Sequence, residues 1–377
     1  MSGQPTIFQR FVLPGLAFKA VVIGGGYATG RELAEFFFPA GPEGGLMGLV
    51  LVALLWSAVC TVTFLFARAT HSLDYRTFFR NLLGPFWRLF ELAYLALLML
   101  ILAVFGAASG EIGLAVFGWP SWAGGLCLAV AILLVTAAGN ESVEGLFRYA
   151  ALFLYAVYGI FAVLAFTTFG DRIGEVLAAD HPVGNWVGGG LTYAGYNVVG
   201  AVVVLPVVRH FTGNRDAIVA GLASGPLAAL PAFLFFLAMI AFYPEIGDEA
   251  LPSSYMLDRL DVPVFPIVFQ LMIFIALLET SASCVNAINE RIGGVLEARG
   301  RTLTPRLRLA VAATLLAFAM VVATRFGLIA LIANGYRTLA YVIIGVFVVP
   351  LFTLGLWKLR RLAGGGPAPA SEGEETP

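Results

Sequence analysis

The sequence predicts an all-α membrane protein with ten transmembrane helices, arranged as two inverted five-helix repeats in which helices 1 and 6 are broken. Three observations support this prediction. Of the 377 residues, 60% are hydrophobic and 12% are charged, which is about half the charged share of a soluble domain. The apolar residues fall into ten segments, and basic residues collect in every second loop. Glycines interrupt the first and the sixth segment at their centres.

Each of the ten segments is close to the length of about 20 residues that a bilayer requires. The residues after 362 are rich in glycine, proline and glutamate, a composition typical of disorder. We therefore expect one membrane domain over residues 1–362, with repeat one at about 10–170 and repeat two at about 186–359, and a disordered cytoplasmic tail over 363–377. The segments are 11–38, 46–67, 89–113, 120–138, 146–169, 186–208, 217–243, 263–290, 306–323 and 328–357.

The basic residues indicate the orientation. Sixteen of them flank the segments on one side, whereas the loops of the other side contain Arg172, Arg259 and Arg325. Lysine and arginine are enriched in cytoplasmic loops, so both termini are predicted to be cytoplasmic and the number of spans even. The sixteen are Arg10, Arg68, Arg76, Arg80, Arg88, Arg148, Arg209, Arg215, Arg291, Arg299, Arg301, Arg306, Arg308, Lys358, Arg360 and Arg361.

Segment 1 carries four glycines, a threonine and two charged residues between residues 24 and 32. Each interior glycine costs a helix about 1 kcal/mol relative to alanine, and non-helical backbone at membrane depth is tolerated where it lines a cavity. We expect a break near Gly24–Gly26. The half-helices on either side would offer unpaired carbonyl and N–H groups to a solute and an ion. The predicted solute-binding residues here are Gly24, Gly26, Tyr27, Thr29 and Gly30.

Segment 6 repeats this pattern, with three glycines at 188–190 followed by Tyr193, Gly195, Tyr196 and Asn197. We expect a second break near Ala194–Asn197 and predict that these four residues also bind the solute. Because each repeat has five helices, the two halves insert with opposite orientation. The alternative is that the glycines only permit close helix packing.

Segment 8 has a polar stripe at helical spacing formed by Glu279, Ser283, Asn286 and Glu290. Glu279 lies near the centre of the span. It either carries a coupling proton or pairs with a buried cation such as Lys19.

Further charged residues lie within the outer half of the predicted membrane domain. Intramembrane charges usually face the bundle interior and pair with one another. We predict a gating or salt-bridge network, and the alternative is that these pairs only hold helices together. Its members are Arg31, Glu32, Glu35, Glu111 and Arg337.

The run Gly24-Gly-Gly-Tyr-Ala-Thr-Gly-Arg-Glu32 resembles the glycine-rich first-helix motif, GAGFASGQE, of the YkvI-like bacterial membrane proteins, with Arg31 where glutamine is usual. The resemblance implies membership of the amino acid–polyamine–organocation superfamily and the LeuT fold. In sodium symporters of this fold, first-helix carbonyls and a Thr-Ser pair of helix 8 form an ion site. By that resemblance, the ion-coupling residues are Ile23, Gly26, Glu279, Thr280 and Ser281.

These features predict an ion-coupled secondary transporter that moves a small polar solute, such as an amino acid or related zwitterion, by alternating access. Its coupling ion is Na⁺ or H⁺, it needs no cofactor, and it resides in the bacterial cytoplasmic membrane. The alternative is a membrane sensor of the same fold that binds a ligand without moving it. Motifs for ATP hydrolysis, intramembrane catalysis and metal binding are absent from the sequence, and no basic surface indicates nucleic acid.

Overall fold

Helices make up the regular structure of the described chain. The computed structural model describes residues 5–24, 28–138 and 140–363, and only the backbone of residues 140–151 and 363. No strand occurs in these ranges. The helices are α1 (Leu13–Val22), α2 (Arg31–Phe37), α3 (Gly41–Ala69), α4 (Tyr75–Leu83), α5 (Trp87–Phe117), α6 (Ser121–Ala138), α7 (Asn140–Ala178), α8 (Trp186–Asn197), α9 (Gly200–Val203), α10 (Asn214–Ile240), α11 (Pro252–Leu257), α12 (Phe265–Glu297), α13 (Pro305–Ala330), α14 (Arg337–Ile343) and α15 (Leu356–Ala363).

Seven stretches of the described chain are long and apolar enough to cross a membrane. Segments 1 and 6 are not among them because each is divided into shorter pieces. The last stretch, Pro305–Leu362, contains predicted segments 9 and 10, and the chain between them turns at Gly327 (φ 75°, ψ 168°). The protein is therefore a multi-pass membrane protein, and the count of ten spans remains a prediction.

Local sequence explains where several helices begin. Asp74 caps α4 by accepting hydrogen bonds from the N–H groups of Arg76 and Thr77, and Thr304 caps α13 in front of Pro305. Both are strong N-terminal signals, because the cap satisfies N–H groups that have no helical partner and proline loses nothing at this position.

Helices α3 and α10 approach closely along a row of small residues. A Cβ atom on Gly225 would collide with the carbonyl oxygen of Ala53, and the Ser57 hydroxyl donates to the carbonyl of Leu222 at 2.8 Å. Small residues allow such backbone approaches between membrane helices, where dispersion and hydrogen bonds replace the hydrophobic effect. This pair fixes α10 against the core on one side of the broken segments.

Long-range polar contacts gather at one end of the molecule. Arg10 binds Asp216 with two hydrogen bonds of 2.7 and 2.8 Å, and Lys358 donates to the carbonyl of Asn81 at 2.6 Å. These contacts join residues from four loops or helix ends that the basic-residue pattern places on the same side. That this end faces the cytoplasm remains a prediction.

The close approach of α3 and α10 predicts that one added methyl group lowers stability at their contact but not at an open position elsewhere. We expect Gly225→Ala to destabilise the protein by about 1–3 kcal/mol, since overpacking at a backbone contact forces the helices apart. Gly159→Ala in α7, where a Cβ atom would meet nothing within 4 Å, is the matched control and should be neutral or stabilising. Thermal unfolding in detergent measures both, and equal midpoints would contradict the packing described here.

Candidate functional site

Segment 1 is broken, as its glycines predict. Helix α1 ends at Val22, and Ile23 leaves helical geometry with φ −84° and ψ 78°. The N–H of Gly24 then bonds the carbonyl of Val22 at 3.0 Å, two residues back instead of four. The predicted solute-binding residues Gly26 and Tyr27 lie outside the described residues. Gly26 is also a predicted ion-coupling residue.

The second half-helix, α2, starts after Gly30, which adopts the left-handed conformation (φ 78°) that favours glycine. A Cβ atom at Gly30 would also lie 2.7 Å from the ring of Phe235. Thr29 is buried, and its carbonyl accepts a hydrogen bond of 3.0 Å from the N–H of Ser253. The structure thus places Thr29 against α11 and Gly30 against α10 and α11, and neither residue borders the cavity described below.

Segment 6 departs from α-helical geometry later than predicted. Residues 194–197 are helical, so the departure predicted near Ala194–Asn197 begins just after that stretch. The change comes at Val198 and Val199, whose carbonyls accept from the N–H groups of Ala201 and Val202, three residues on. The backbone tightens into a 3₁₀-like turn between α8 and α9 and does not unwind.

Close packing explains the glycines of segment 6. A Cβ atom on Gly195 would lie 2.8 Å from Ile344, and one on Gly189 would collide with the carbonyl of Phe36. Tyr193 is buried with its ring 5.2 Å from that of Phe37 and 5.7 Å from that of Trp56. Gly195 and Tyr193 therefore pack α8 into the bundle, and the structure does not bring them to the cavity.

A cavity of about 420 Å³ lies where the break of segment 1 meets α5, α8, α9 and α12. Its wall includes Ile23 and Gly24 at the end of α1, Glu32 of α2, and Asn197 and Val199 at the turn in segment 6. Of the sequence-predicted site residues, those that line it are Ile23, Gly24, Glu32, Tyr196, Asn197, Glu279 and Thr280.

The sequence analysis did not single out several aromatic residues that line the same cavity. Tyr336 stacks on Tyr196 with ring centroids 4.4 Å apart and planes 14° from parallel, and Tyr94, Phe105 and Tyr155 form other parts of the wall. An aromatic residue in an apolar segment carries no pattern that distinguishes a cavity wall from a core. The polar neighbours Asn334 and Arg337 were the available signal for Tyr336.

The predicted ion-coupling residues of α12 meet the break of segment 1. A Cβ atom on Gly24 would lie 3.3 Å from Oγ1 of Thr280, so this hydroxyl faces the end of α1. Ser281 is fully buried, and its hydroxyl has no hydrogen-bond partner among the described residues. The Thr280 hydroxyl is thus an oxygen donor of the kind that a hard cation prefers, beside the end of α1.

Glu279 borders the cavity without the ion pair that its sequence position suggested. In the described chain, no salt bridge joins Glu279 to Lys19. The Lys19 ammonium lies 4.5 Å from the ring centroid of Tyr155, a cation–π distance.

The predicted charge network divides into separate parts. Arg31 binds Glu35 at 2.9 Å and donates to the carbonyls of Gly247 and Glu249, and Arg337 approaches Glu35 at 3.5 Å. Glu32 points the other way, into the cavity, where it accepts a 2.6 Å hydrogen bond from the Tyr196 hydroxyl. Glu111 has no ion pair in the described part of the chain.

Solved transporter structures share this architecture. MhsT in complex with L-phenylalanine matches with a TM-score of 0.56 and 15% identity, over 96% of this chain and 90% of its own. A Na⁺-coupled sialic acid symporter matches at 0.56 and 13% identity over 93% and 82%. The nucleobase-cation-symport-1 transporter Mhp1 matches at 0.54 and 15% identity over 96% and 94%. The chain has the LeuT fold.

Sequence comparison gives a distant relationship over most of the chain. The chain is 22% identical over 355 residues to the uncharacterized protein YyaD of Bacillus subtilis (strain 168), which covers 89% of this chain and 95% of that protein. No family model matches the chain. The break of segment 1 therefore lies in a chain of the LeuT fold, and substitutions at the break can test its role.

The position of Gly24 predicts that added side-chain bulk fills the cavity. We expect Gly24→Leu to abolish solute binding and uptake while leaving membrane insertion intact, because the side chain would extend toward Thr280 and Phe105. Gly159→Leu is the control, since its position is open. Uptake and fluorescence-detected size exclusion measure the two properties. Normal uptake by Gly24→Leu would place the solute elsewhere.

Proposed function

We propose that the protein is an ion-coupled secondary transporter that moves a small polar solute by alternating access. The observation that carries the proposal is the cavity between the end of α1, the turn after α8, and Thr280 of α12. Among the similar structures, MhsT is in complex with L-phenylalanine, one is a Na⁺-coupled sialic acid symporter, and the transporter Mhp1 has bromovinylhydantoin bound. Because the sequence identity to each is low, the solute of this chain has to be inferred from its own residues.

The cavity extends between two ends that each carry an ion pair. Its wall reaches Tyr94 and Ala287, which lie three and four residues from the Glu91–Arg291 ion pair at the end that collects basic residues. Toward the other end, Arg31 binds Glu35, and Tyr196 stacks on Tyr336. We assign the basic end to the cytoplasm, and alternating access would require each of these ion pairs to separate in turn.

Sodium is the coupling ion that the residues favour. The Thr280 hydroxyl faces Gly24, and the buried Ser281 hydroxyl has no partner among the described residues. Sodium binds oxygen donors of this kind, and carbonyls near Ile23 would supply the others. Glu279 at the cavity wall supports a second candidate, coupling to a proton.

The remaining parts of the proposal concern setting and extent. We assign the protein to the bacterial cytoplasmic membrane with both termini inside, as a YkvI-like member of the superfamily, and residues 1–362 to the transporter domain. Residues 364–377 of the proposed tail lie outside the described residues. A sensor of the same fold would bind a ligand in the cavity without accumulating it.

One uptake assay in proteoliposomes distinguishes the coupling ions, run with and without sodium at two pH values. If sodium couples, the double variant Thr280→Ala, Ser281→Ala should lose sodium dependence, because an ion that no longer binds cannot raise solute affinity. If a proton couples, Glu279→Gln should make uptake insensitive to pH, and sodium should have no effect on the unmodified protein.

The double variant Thr314→Ala, Thr324→Ala is the matched control, because it removes two hydroxyls of α13 that bond only carbonyls of their own helix. It should transport normally. Unchanged coupling in both test variants would contradict the ion assignments. It would indicate that the polar stripe of α12 serves only helix packing. Solute binding without accumulation in any condition would instead favour the sensor.

A further inference from the structure

The charged side chains of the cavity wall are all acidic. Among the described residues that line it, Glu32 and Glu279 carry ionisable acids, and no lysine or arginine is present. The three residues of the break that lie outside the description are Gly25, Gly26 and Tyr27, which add no basic group. Within the described lining, a solute meets acidic side chains and no lysine or arginine to pair with an acid of its own.

Glu32 is the more confined of the two acids. It is 7% exposed, and Tyr196 is its hydrogen-bond partner in the described chain, through one of the two carboxylate oxygens. The neighbouring cation Arg31 is committed to Glu35 and to two loop carbonyls. A buried carboxylate is costly unless a cation or several donors compensate it, and here the open side of Glu32 is the cavity.

Glu279 is the less confined of the two acids, because its residue is of intermediate exposure whereas Glu32 is buried. Neither acid has an ion pair among the described residues. The more deeply buried of the two acids is therefore the one beside the Tyr196–Tyr336 pair.

Aromatic rings complete the environment around Glu32. Tyr196 and Tyr336 are stacked and both border the cavity. Ring faces attract ammonium and guanidinium groups, most strongly where water is excluded. A carboxylate beside two stacked tyrosines is a suitable site for an organic cation and an unfavourable one for an anion.

The N-terminus of α2 does not offset this preference for a cation over an anion. Helix α2 has seven residues and carries Glu32 in its first turn, so its N-terminal end already holds a negative charge. A solute carboxylate placed here would oppose Glu32 at close range, and like charges repel strongly at low dielectric.

We infer that the solute is a net cationic molecule whose protonated amino or guanidinium group pairs with Glu32 beside Tyr196 and Tyr336. This inference rests on the proposed function and narrows its solute from a zwitterion to a cation. Glu32 is the residue that selects the charge, and Tyr196 positions its carboxylate through the 2.6 Å hydrogen bond.

Straight-chain probes of four and six carbons test the inference on the purified full-length protein. Each chain length is used as the diamine, the amino acid, the diol and the diacid, and apparent Kd values come from ligand-induced thermal stabilisation. We expect the diamines to bind at least about tenfold tighter than the diols and the diacids, with the amino acids weaker than the diamines, because a desolvated charge pair discriminates strongly.

Glu32→Gln keeps the shape of the side chain and removes its charge, so it should lose about tenfold or more of the preference for the diamine over the diol. Glu43→Gln, the same change at an exposed residue of α3, should keep the preference. Glu32→Asp should retain part of it, and this variant decides the matter if the glutamine variant does not fold.

Three outcomes would overturn the inference: tighter binding of an amino acid or a diacid than of the diamine, unchanged diamine binding in Glu32→Gln, or no diamine binding at millimolar concentration. The second would mean that Glu32 is held neutral by its surroundings. Proteoliposome uptake separates this inference from the proposed function. A diamine that binds but is not taken up overturns transport alone, whereas uptake of a diacid overturns the cationic solute alone.

Discussion

Backbone hydrogen bonds inside a membrane must be satisfied by protein or by a water-filled cavity, and the structure depends on how segment 1 meets this constraint. Helix α1 ends at Val22, and its last turn closes with a tight bond from Gly24 to Val22. The resulting gap lies beside α5, α8 and α12 and opens into the cavity. A helix that continued through this point would leave no place for a solute.

Polar contacts lie on both sides of the gap. Arg31 ties α2 to Glu35 and to the loop carbonyls of Gly247 and Glu249, and the Tyr196–Tyr336 pair lies beside Glu32. On the other side, the Glu91–Arg291 ion pair joins α5 to α12 close to Tyr94 and Ala287 of the cavity wall. Ion pairs between helices therefore bound the cavity toward both ends.

Much of this could be predicted from the sequence, because segment length, glycine content and the sixteen-to-three distribution of basic residues each report a bilayer constraint. The break of segment 1 was predictable for the same reason. In segment 6, identical glycines serve packing against Phe36 and Ile344, and composition cannot distinguish a glycine that breaks a helix from one that admits a neighbour. The direction in which a side chain points could not be predicted from the sequence either. Arg31 and Glu32 are adjacent in sequence, yet Arg31 binds the loop between α10 and α11 and Glu32 faces the cavity.

The most direct test of the account is whether both faces of the membrane reach the cavity in turn. A cysteine at Asn197, in a background where Cys60, Cys127 and Cys284 are replaced by alanine, would be labelled with a membrane-impermeant thiol reagent from each face, under inward and outward ion gradients. The account predicts labelling from either face, with the gradient selecting the face, and protection by bound solute. Labelling from one face only, under every gradient and without protection, would contradict it.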